Sequence, residues 1–246
     1  MFNKLIKMVI IIFSVLFIVS CSNDDNPVTP NKNKEAKELG LKEIKIPEKL
    51  VQSNDPHAQM CVGAINMVNG FKGFSAMAKP PAETNLHKIV ATNEDWTRTW
   101  TDGQLSVTMK YYENDVSFGW QLFFTGSDNN FTYSNWLAMK AEQKNNNSYG
   151  TLIIYKPVTD QVEFQWTWSQ SQNGNSTFTM EIFGEDGLPQ TKIEVVANSD
   201  ESGEVTFYNY VNGSYTKQSK TTWTSTGTGH WAQYNEDGSI ASEGDF

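Results

Sequence analysis

Turn signals recur at nearly even intervals through the last two thirds of this sequence, and apolar residues alternate with polar ones between them. Asn-Gly and Asp-Gly pairs suit tight hairpin turns, and most such signals stand about 8 to 15 residues apart. They fall at 102–103, 114–115, 145–147, 159–160, 173–174, 186–187, 200–203, 212–213 and 237–238. An alternating pattern is typical of strands, so we expect no long helix after residue 94.

The alternation assigns one apolar face to each strand, as in Phe118, Trp120, Leu122 and Phe124. We therefore predict a mainly β fold: a single antiparallel meander of about 11 to 12 strands, forming either a strongly curved sheet or a barrel. Apolar residues make up 38% and aromatic residues 13% of the chain, which is enough for one core.

The first hairpin places the only arginine of the sequence on the core face. Trp96, Arg98 and Trp100 alternate with threonines, and a two-residue turn at 102–103 would set them opposite Met109, Val107 and Leu105 respectively. A buried guanidinium without a partner would cost several kcal/mol. Three partners are open: a carboxylate from a turn or the N-terminal arm, carbonyls at a helix end, or an anionic ligand entering between Trp96 and Trp100.

Two later hairpins give further predictions. A simple two-residue turn at 173–174 would place Trp168 opposite Thr179 and break the apolar pattern, so we expect an odd-length loop or a bulge there. At Asn212-Gly213, a two-residue turn pairs Tyr210 with Tyr215 and Tyr208 with Lys217, on the face opposite Val205 and Phe207. These three outward tyrosines suit stacking on sugar rings or ordinary cross-strand packing.

One helix is predicted before the strands, over residues 56–78. Asp55 can cap its first turn, Pro56 fits its first position, and Lys79-Pro80-Pro81 stops it. Apolar residues cover about half of its circumference, so we expect it to pack on the concave side of the sheet. Gly63 and Gly70 share an edge that would allow close backbone approach.

The N-terminus reads as a signal peptide over residues 1–20. Lys4 and Lys7 precede an apolar run too short to cross about 30 Å of hydrocarbon. Its end, Ile18-Val19-Ser20-Cys21, resembles the bacterial lipobox. That resemblance implies cleavage before Cys21 and a diacylglyceryl group on its sulfur. Cys61 would then be unpaired, and we interpret it as a small buried apolar residue.

Residues 21–43 are predicted to form a flexible lipidated tether, and residues 44–246 a single domain. Leu39 to Val51 carries scattered apolar positions that can lie on the domain as an extended arm. Ser22 after the cysteine resembles an outer-membrane sorting context, and the acidic 23–25 segment resembles a surface-export signal of Bacteroidota-type lipoproteins. We predict an outer-membrane lipoprotein that faces either the periplasm or the cell surface.

Several chemistries lack support in the sequence. The net charge of −9, without a clustered basic stretch, argues against nucleic acid as a partner. The acidic pairs at turns are explained by turn chemistry, and no metal motif, cofactor motif or nucleophile elbow is present in the sequence.

Three classes of function follow. The first is a binding module for an amphiphile or anionic group near Arg98, since a helix on a curved sheet behind a lipoprotein signal resembles the periplasmic lipoprotein carriers in architecture. The second is a surface scaffold or glycan-binding protein that uses Tyr208, Tyr210 and Tyr215. The third, an enzyme, is the least supported because no acid, base and nucleophile set is brought together by spacing.

Overall fold

The computed structural model describes residues 37–71, 88–92 and 95–246. The chain divides into two units, Met1–Lys34 and Glu35–Phe246, and the description concerns the second. The predicted signal peptide, the lipobox with Cys21, most of the predicted tether and the expected helical residues 72–78 lie outside the described residues.

The second unit contains a 13-stranded antiparallel sheet in which every strand pairs with its neighbours in sequence. The prediction of a mainly β meander is confirmed, with twelve strands in 95–246 and one before them. The described strands form an open sheet, not a barrel: its order runs from β1 at one edge to β13 at the other. The strands are β1 (Lys88–Thr92), β2 (Asp95–Asp102), β3 (Leu105–Glu113), β4 (Ser117–Ser127), β5 (Thr132–Lys144), β6 (Tyr149–Tyr155), β7 (Val162–Gln170), β8 (Ser176–Phe183), β9 (Pro189–Ala197), β10 (Gly203–Val211), β11 (Ser214–Trp223), β12 (Gly229–Tyr234) and β13 (Ile240–Asp245).

The register of the β2–β3 hairpin differs from the predicted one by two residues. Trp96 pairs with Tyr111, Arg98 with Met109 and Trp100 with Val107. The turn is centred on Gly103 and Gln104, and only Gly103 has a positive φ, of 59°. Because the side-chain period of a strand is two, a two-residue shift changes the partners and leaves every side chain on its predicted face.

The other two hairpin predictions are confirmed. Trp168 pairs with Phe178 across an odd-length loop over 171–175, and Gly174 adopts a φ of 87°. Asn212 and Gly213 form a two-residue turn with φ of 52° and 83°, which pairs Tyr210 with Tyr215 and Tyr208 with Lys217. The first loop keeps the aromatic residues of β7 and β8 on one face of the sheet.

That face, called the inner face below, carries the alternating buried residues. Several of its aromatic residues lie directly opposite a glycine on the neighbouring strand. The pairs are Trp168 with Gly150, Trp223 with Gly203, and Trp231 with Gly244. A Cβ built on Gly150 would come within 2.1 Å of the Trp168 ring, and one on Gly203 within 2.4 Å of the Trp223 ring. The indoles therefore fold across the space that the glycines leave open.

Among the described residues before the sheet there are two helices, α1 (Glu48–Gln52) and α2 (Pro56–Gly70). The predicted start of α2 is confirmed, since Asp55 accepts hydrogen bonds from the amides of His57 and Ala58. Within the described residues the helix spans Pro56–Gly70, and it packs on the inner face, where His57 stacks on Trp231 at 3.7 Å. The expected close approach at Gly63 and Gly70 is wrong: both are exposed, with nothing within 4 Å of a built Cβ.

The segment before α1, called the arm (residues 37–47), is already packed at Leu39 and Leu41, which are only 5% and 7% exposed. Packing thus begins inside the predicted tether. Consecutive points of the arm and α1 contact consecutive hairpins. The contacts are Lys37 with Glu113, Gly40 with Gln143, Lys42 with Gly174, Lys45 with Glu201, and Leu50 with Gly227.

Those contacts all lie at one end of the sheet, where β3–β4, β5–β6, β7–β8, β9–β10 and β11–β12 connect; we call it the proximal end. Eight strand spacings amount to about 38 Å, and a chain of this length reaches little further when fully extended. The arm is therefore a nearly straight segment that crosses the proximal end. The other connections form the distal end.

Candidate functional site

The three residues predicted to bind a ligand lie together on β2. Trp96, Arg98 and Trp100 are 5%, 8% and 7% exposed, and they share the inner face with Met109 and Tyr111. The prediction that Arg98 lies on the core side is thus confirmed. Alternation in β2 positions all three side chains, and the glycine turn fixes the end of the strand.

Arg98 lies against an aromatic stack. Its Cζ is 4.3 Å from the ring centroid of Trp96, and the Trp96 and Tyr111 rings stack at 5.1 Å. The Tyr111 hydroxyl donates to Glu113 at 2.9 Å, and Glu113 in turn pairs with Lys37 of the arm at 2.6 Å. The site is therefore connected to the arm through one continuous series of contacts.

Hydrogen-bond donors dominate this site. The buried indole Nε1–H of Trp96 has no hydrogen-bond partner. An unsatisfied buried donor costs about 1–3 kcal/mol, and a guanidinium offers donors only. Chemically, the pair of side chains suits an acceptor with negative charge, such as a carboxylate or a phosphate.

The predicted tyrosine surface is formed, on the face opposite the inner one, and its rings pack on each other and on a lysine. Tyr210 and Tyr215 meet edge to face at 5.2 Å, and the Lys192 ammonium lies 4.1 Å from the Tyr208 ring and 4.8 Å from the Tyr215 ring. Tyr215 also donates to Glu181 at 2.7 Å, and burial together with that carboxylate raises its pKa. These contacts fit the cross-strand packing interpretation better than open sugar-stacking platforms.

A second aromatic cluster was not predicted from the sequence. Phe124, Phe131, Tyr133 and Trp136 meet where β4 turns into β5, with Tyr133 and Trp136 stacked at 5.1 Å. Tyr133 donates to Asp128 at 2.6 Å, which lowers the pKa of that carboxyl group. Bulges in the β4–β5 pairing break the alternation that would have shown these residues on one face.

The carrier interpretation depends on whether the space between helix and sheet is open. Trp120, Trp168 and Trp223 fill the inner face and are at most 4% exposed. A cavity of about 140 Å³ lies instead between the arm and the β9–β10 turn, lined by polar residues such as Lys42, Asn198 and Ser202. The described part of the inner face is thus a packed core.

The nucleophile of a cysteine enzyme would have to be Cys61. It lies one turn after His57 on α2, is fully buried, and burial raises the pKa of its thiol to about 12. A neutral, inaccessible thiol is not a nucleophile. The interpretation of Cys61 as a buried apolar residue is confirmed.

The acidic residues at turns bind backbone amides. Asp186 accepts from the amide of Leu188, Asp200 from that of Ser202 and Asp237 from that of Ser239. Within residues 37–71, 88–92 and 95–246, no group of three His, Cys, Asp or Glu side chains is placed to hold a metal ion. Over the same ranges, no helix is both long and apolar enough to cross a membrane.

Neither a protein-family model nor a curated protein matches this sequence.

Proposed function

We propose that this chain is a lipid-anchored protein of the bacterial outer membrane whose β domain binds an anionic ligand beside Arg98. The observation that carries the proposal is the Trp96 indole N–H, which is buried without an acceptor next to the buried guanidinium. A ligand carboxylate or phosphate would supply that acceptor.

The chemistry of the neighbours favours an anion over a neutral ligand. Trp96 holds the guanidinium over its ring face, where a cation–π contact is worth about 0.5–2 kcal/mol, and Trp100 lies on the same strand face. Arginine binds carboxylates and phosphates through two parallel hydrogen bonds, a geometry that a lysine ammonium does not reproduce. An amphiphile with an anionic head group belongs to this ligand class.

The lipid anchor is supported by the N-terminal sequence. Ile18-Val19-Ser20-Cys21 resembles a lipobox, and Lys37 contacts the domain through Glu113. About fifteen residues then separate the lipid from the folded unit, a flexible distance of about 20 Å. We place the protein at the outer membrane because Ser22 follows the cysteine.

The test measures binding of oleate and of inorganic phosphate to the full chain by calorimetry. Arg98→Lys is expected to keep the circular dichroism spectrum and weaken binding of the recognised anion by about tenfold or more, because the bidentate contact is lost. Lys110→Arg is the matched control: it too exchanges one cationic side chain for the other, on the neighbouring strand but on the opposite face, where Lys110 lies over Phe123.

The two probes separate the sources of the negative charge. Binding of oleate alone identifies an amphiphile, and binding of phosphate identifies the anionic group itself as sufficient. If wild type binds neither anion, or if Arg98→Lys binds as wild type does, Arg98 is a structural residue and the proposed site is excluded.

A further inference from the structure

Each of five successive hairpins at the distal end carries one large, exposed apolar residue. They belong to the β4–β5, β6–β7, β8–β9, β10–β11 and β12–β13 hairpins. We call this set the distal row: Phe131 at 41% exposure, Val158 at 49%, Leu188 at 56%, Val211 at 39% and Ile240 at 53%. Single exposed apolar residues are common on proteins, but one on each of five successive distal hairpins forms a regular row.

The fold sets the spacing of the distal row. Successive distal hairpins are two strands apart, so their tips recur about every 10 Å over about 38 Å. Seven residues of an α-helix rise about 10.5 Å. A partner helix with an apolar residue at every seventh position therefore matches the row along its length.

Acidic residues surround the distal row. The same turns contain Asp128, Asp160, Glu185, Asp186, Glu236 and Asp237. Lys156 is the only basic residue in these described turns, and its ammonium donates to the carbonyl of Gly184. Hydrogen bonds from Ser239 lower the pKa of Asp237. The row thus combines apolar contacts with negative charge.

One end of the row has the features of a binding anchor. Phe131 contacts Tyr133, which stacks on Trp136, and the Trp136 indole donates to the Thr159 carbonyl of the next distal hairpin at 2.8 Å. Aromatic clusters of this kind supply most of the binding energy in protein interfaces. The hydrogen bond fixes the cluster to the rest of the row.

We propose that the distal row binds a cationic amphipathic helix of a partner protein. Charge complementarity selects this occupant, because a second copy of the chain would bring acidic turns against acidic turns, and anionic lipid head groups would be repelled in the same way.

The test uses a helical peptide of about 28 residues with leucine at every seventh position and lysine at flanking positions. Its affinity for the full chain is measured by fluorescence anisotropy. Leu188→Ser, Val211→Ser and Ile240→Ser combined should weaken binding by about tenfold or more. The matched control combines Val51→Ser, Val116→Ser and Tyr149→Ser, which are 47%, 61% and 46% exposed outside the distal row and should bind within about twofold of wild type.

Further measurements define the outcomes of this test. Replacing the peptide lysines by glutamate, or adding about 0.5 M NaCl, should abolish or weaken binding. Arg98→Lys should bind the peptide as wild type does, which separates this proposal from the ligand site. The proposal is overturned if wild type does not bind the peptide, if both triple variants behave alike, or if phosphatidylglycerol vesicles bind with the same dependence on the distal row.

Discussion

Individual glycines decide how tightly this sheet packs. Gly150 and Gly203 lie opposite tryptophans whose rings occupy the space of a missing Cβ, and Gly229 lies in the same way against the ring of Phe246, 2.2 Å from a built Cβ. Aromatic side chains that cover strand glycines also restrict the register, because a shifted strand would meet a side chain instead of a gap. Glycines at these positions thus help to specify the strand register.

Gly150→Ala is expected to lower the free energy of unfolding by about 1–3 kcal/mol, because the new methyl group would overlap the Trp168 ring. Gly63→Ala is the matched control. It lies in α2 with open space around it, and alanine there should raise the free energy of unfolding by up to about 1 kcal/mol. Urea unfolding followed by tryptophan fluorescence checks both. Equal effects of the two substitutions would contradict the packing role of Gly150.

At residue level, the sequence predicted the sheet face of each side chain better than its cross-strand partner. Arg98 was correctly assigned to the core side, because the assignment depends only on alternation along β2. Its cross-strand partner was wrong by two residues, because Asp102-Gly103 and Gly103-Gln104 are both acceptable two-residue turns and local chemistry does not separate them. The aromatic neighbours of Arg98 therefore became visible only with the observed register.

Among the described elements, the arm connects distant parts of the sheet. It crosses five hairpins in order, and its central contact is a buried glutamine: the Gly40 amide donates to Gln143 Oε1 at 2.8 Å, and Gln143 Nε2 donates to Asn147 Oδ1. Gln143 is 1% exposed. Because the arm also ends beside the Arg98 stack through Lys37 and Glu113, its position influences the candidate site.

Gln143→Leu should release the arm without unfolding the sheet. The substitution leaves the Gly40 amide without its acceptor, at a cost of about 1–3 kcal/mol, while the leucine fills a similar volume. Hydrogen exchange of amides in residues 39–46 should accelerate, and exchange in β7 to β9 should not change. Lys45→Ala is the control, since its ion pair with Glu201 is largely exposed and should contribute little. Equal exchange in both variants would contradict this role of Gln143.

Elements with regular patterns were predicted in detail, whereas the arm was predicted only as an extended segment, from scattered apolar positions between Leu39 and Val51. The strands and the start of α2 follow from turn residues, alternation and a cap. The arm has no periodicity, because an extended segment that runs along hairpin ends takes its contacts from the sheet. The aromatic cluster at the β4–β5 turn was missed for a related reason: bulges between Leu122 and Phe123 and after Phe124 move its members out of the strict alternation.

On the scale of the whole molecule, the features are divided between the two ends of the sheet. The arm and the tether attachment lie at the proximal end, while the distal row and most turn acids lie at the other. An open meander makes this division possible, because every second connection lies at the same end. A closed barrel with buried ends would not expose five hairpins in one line.

The two cysteines allow one measurement to test the anchor and the fold together. If Cys21 carries lipid, it has no thiol, and Cys61 is buried with a thiol pKa raised to about 12. The mature protein should therefore not react with a maleimide when folded, and should react once per chain after denaturation. Cys61→Ser should then leave no reactive thiol at all, while Cys21→Ser should move the protein to the soluble fraction and retain the single buried thiol. A second reactive thiol in denatured wild type, or a Cys21→Ser protein that still partitions into membranes, would contradict lipidation at Cys21.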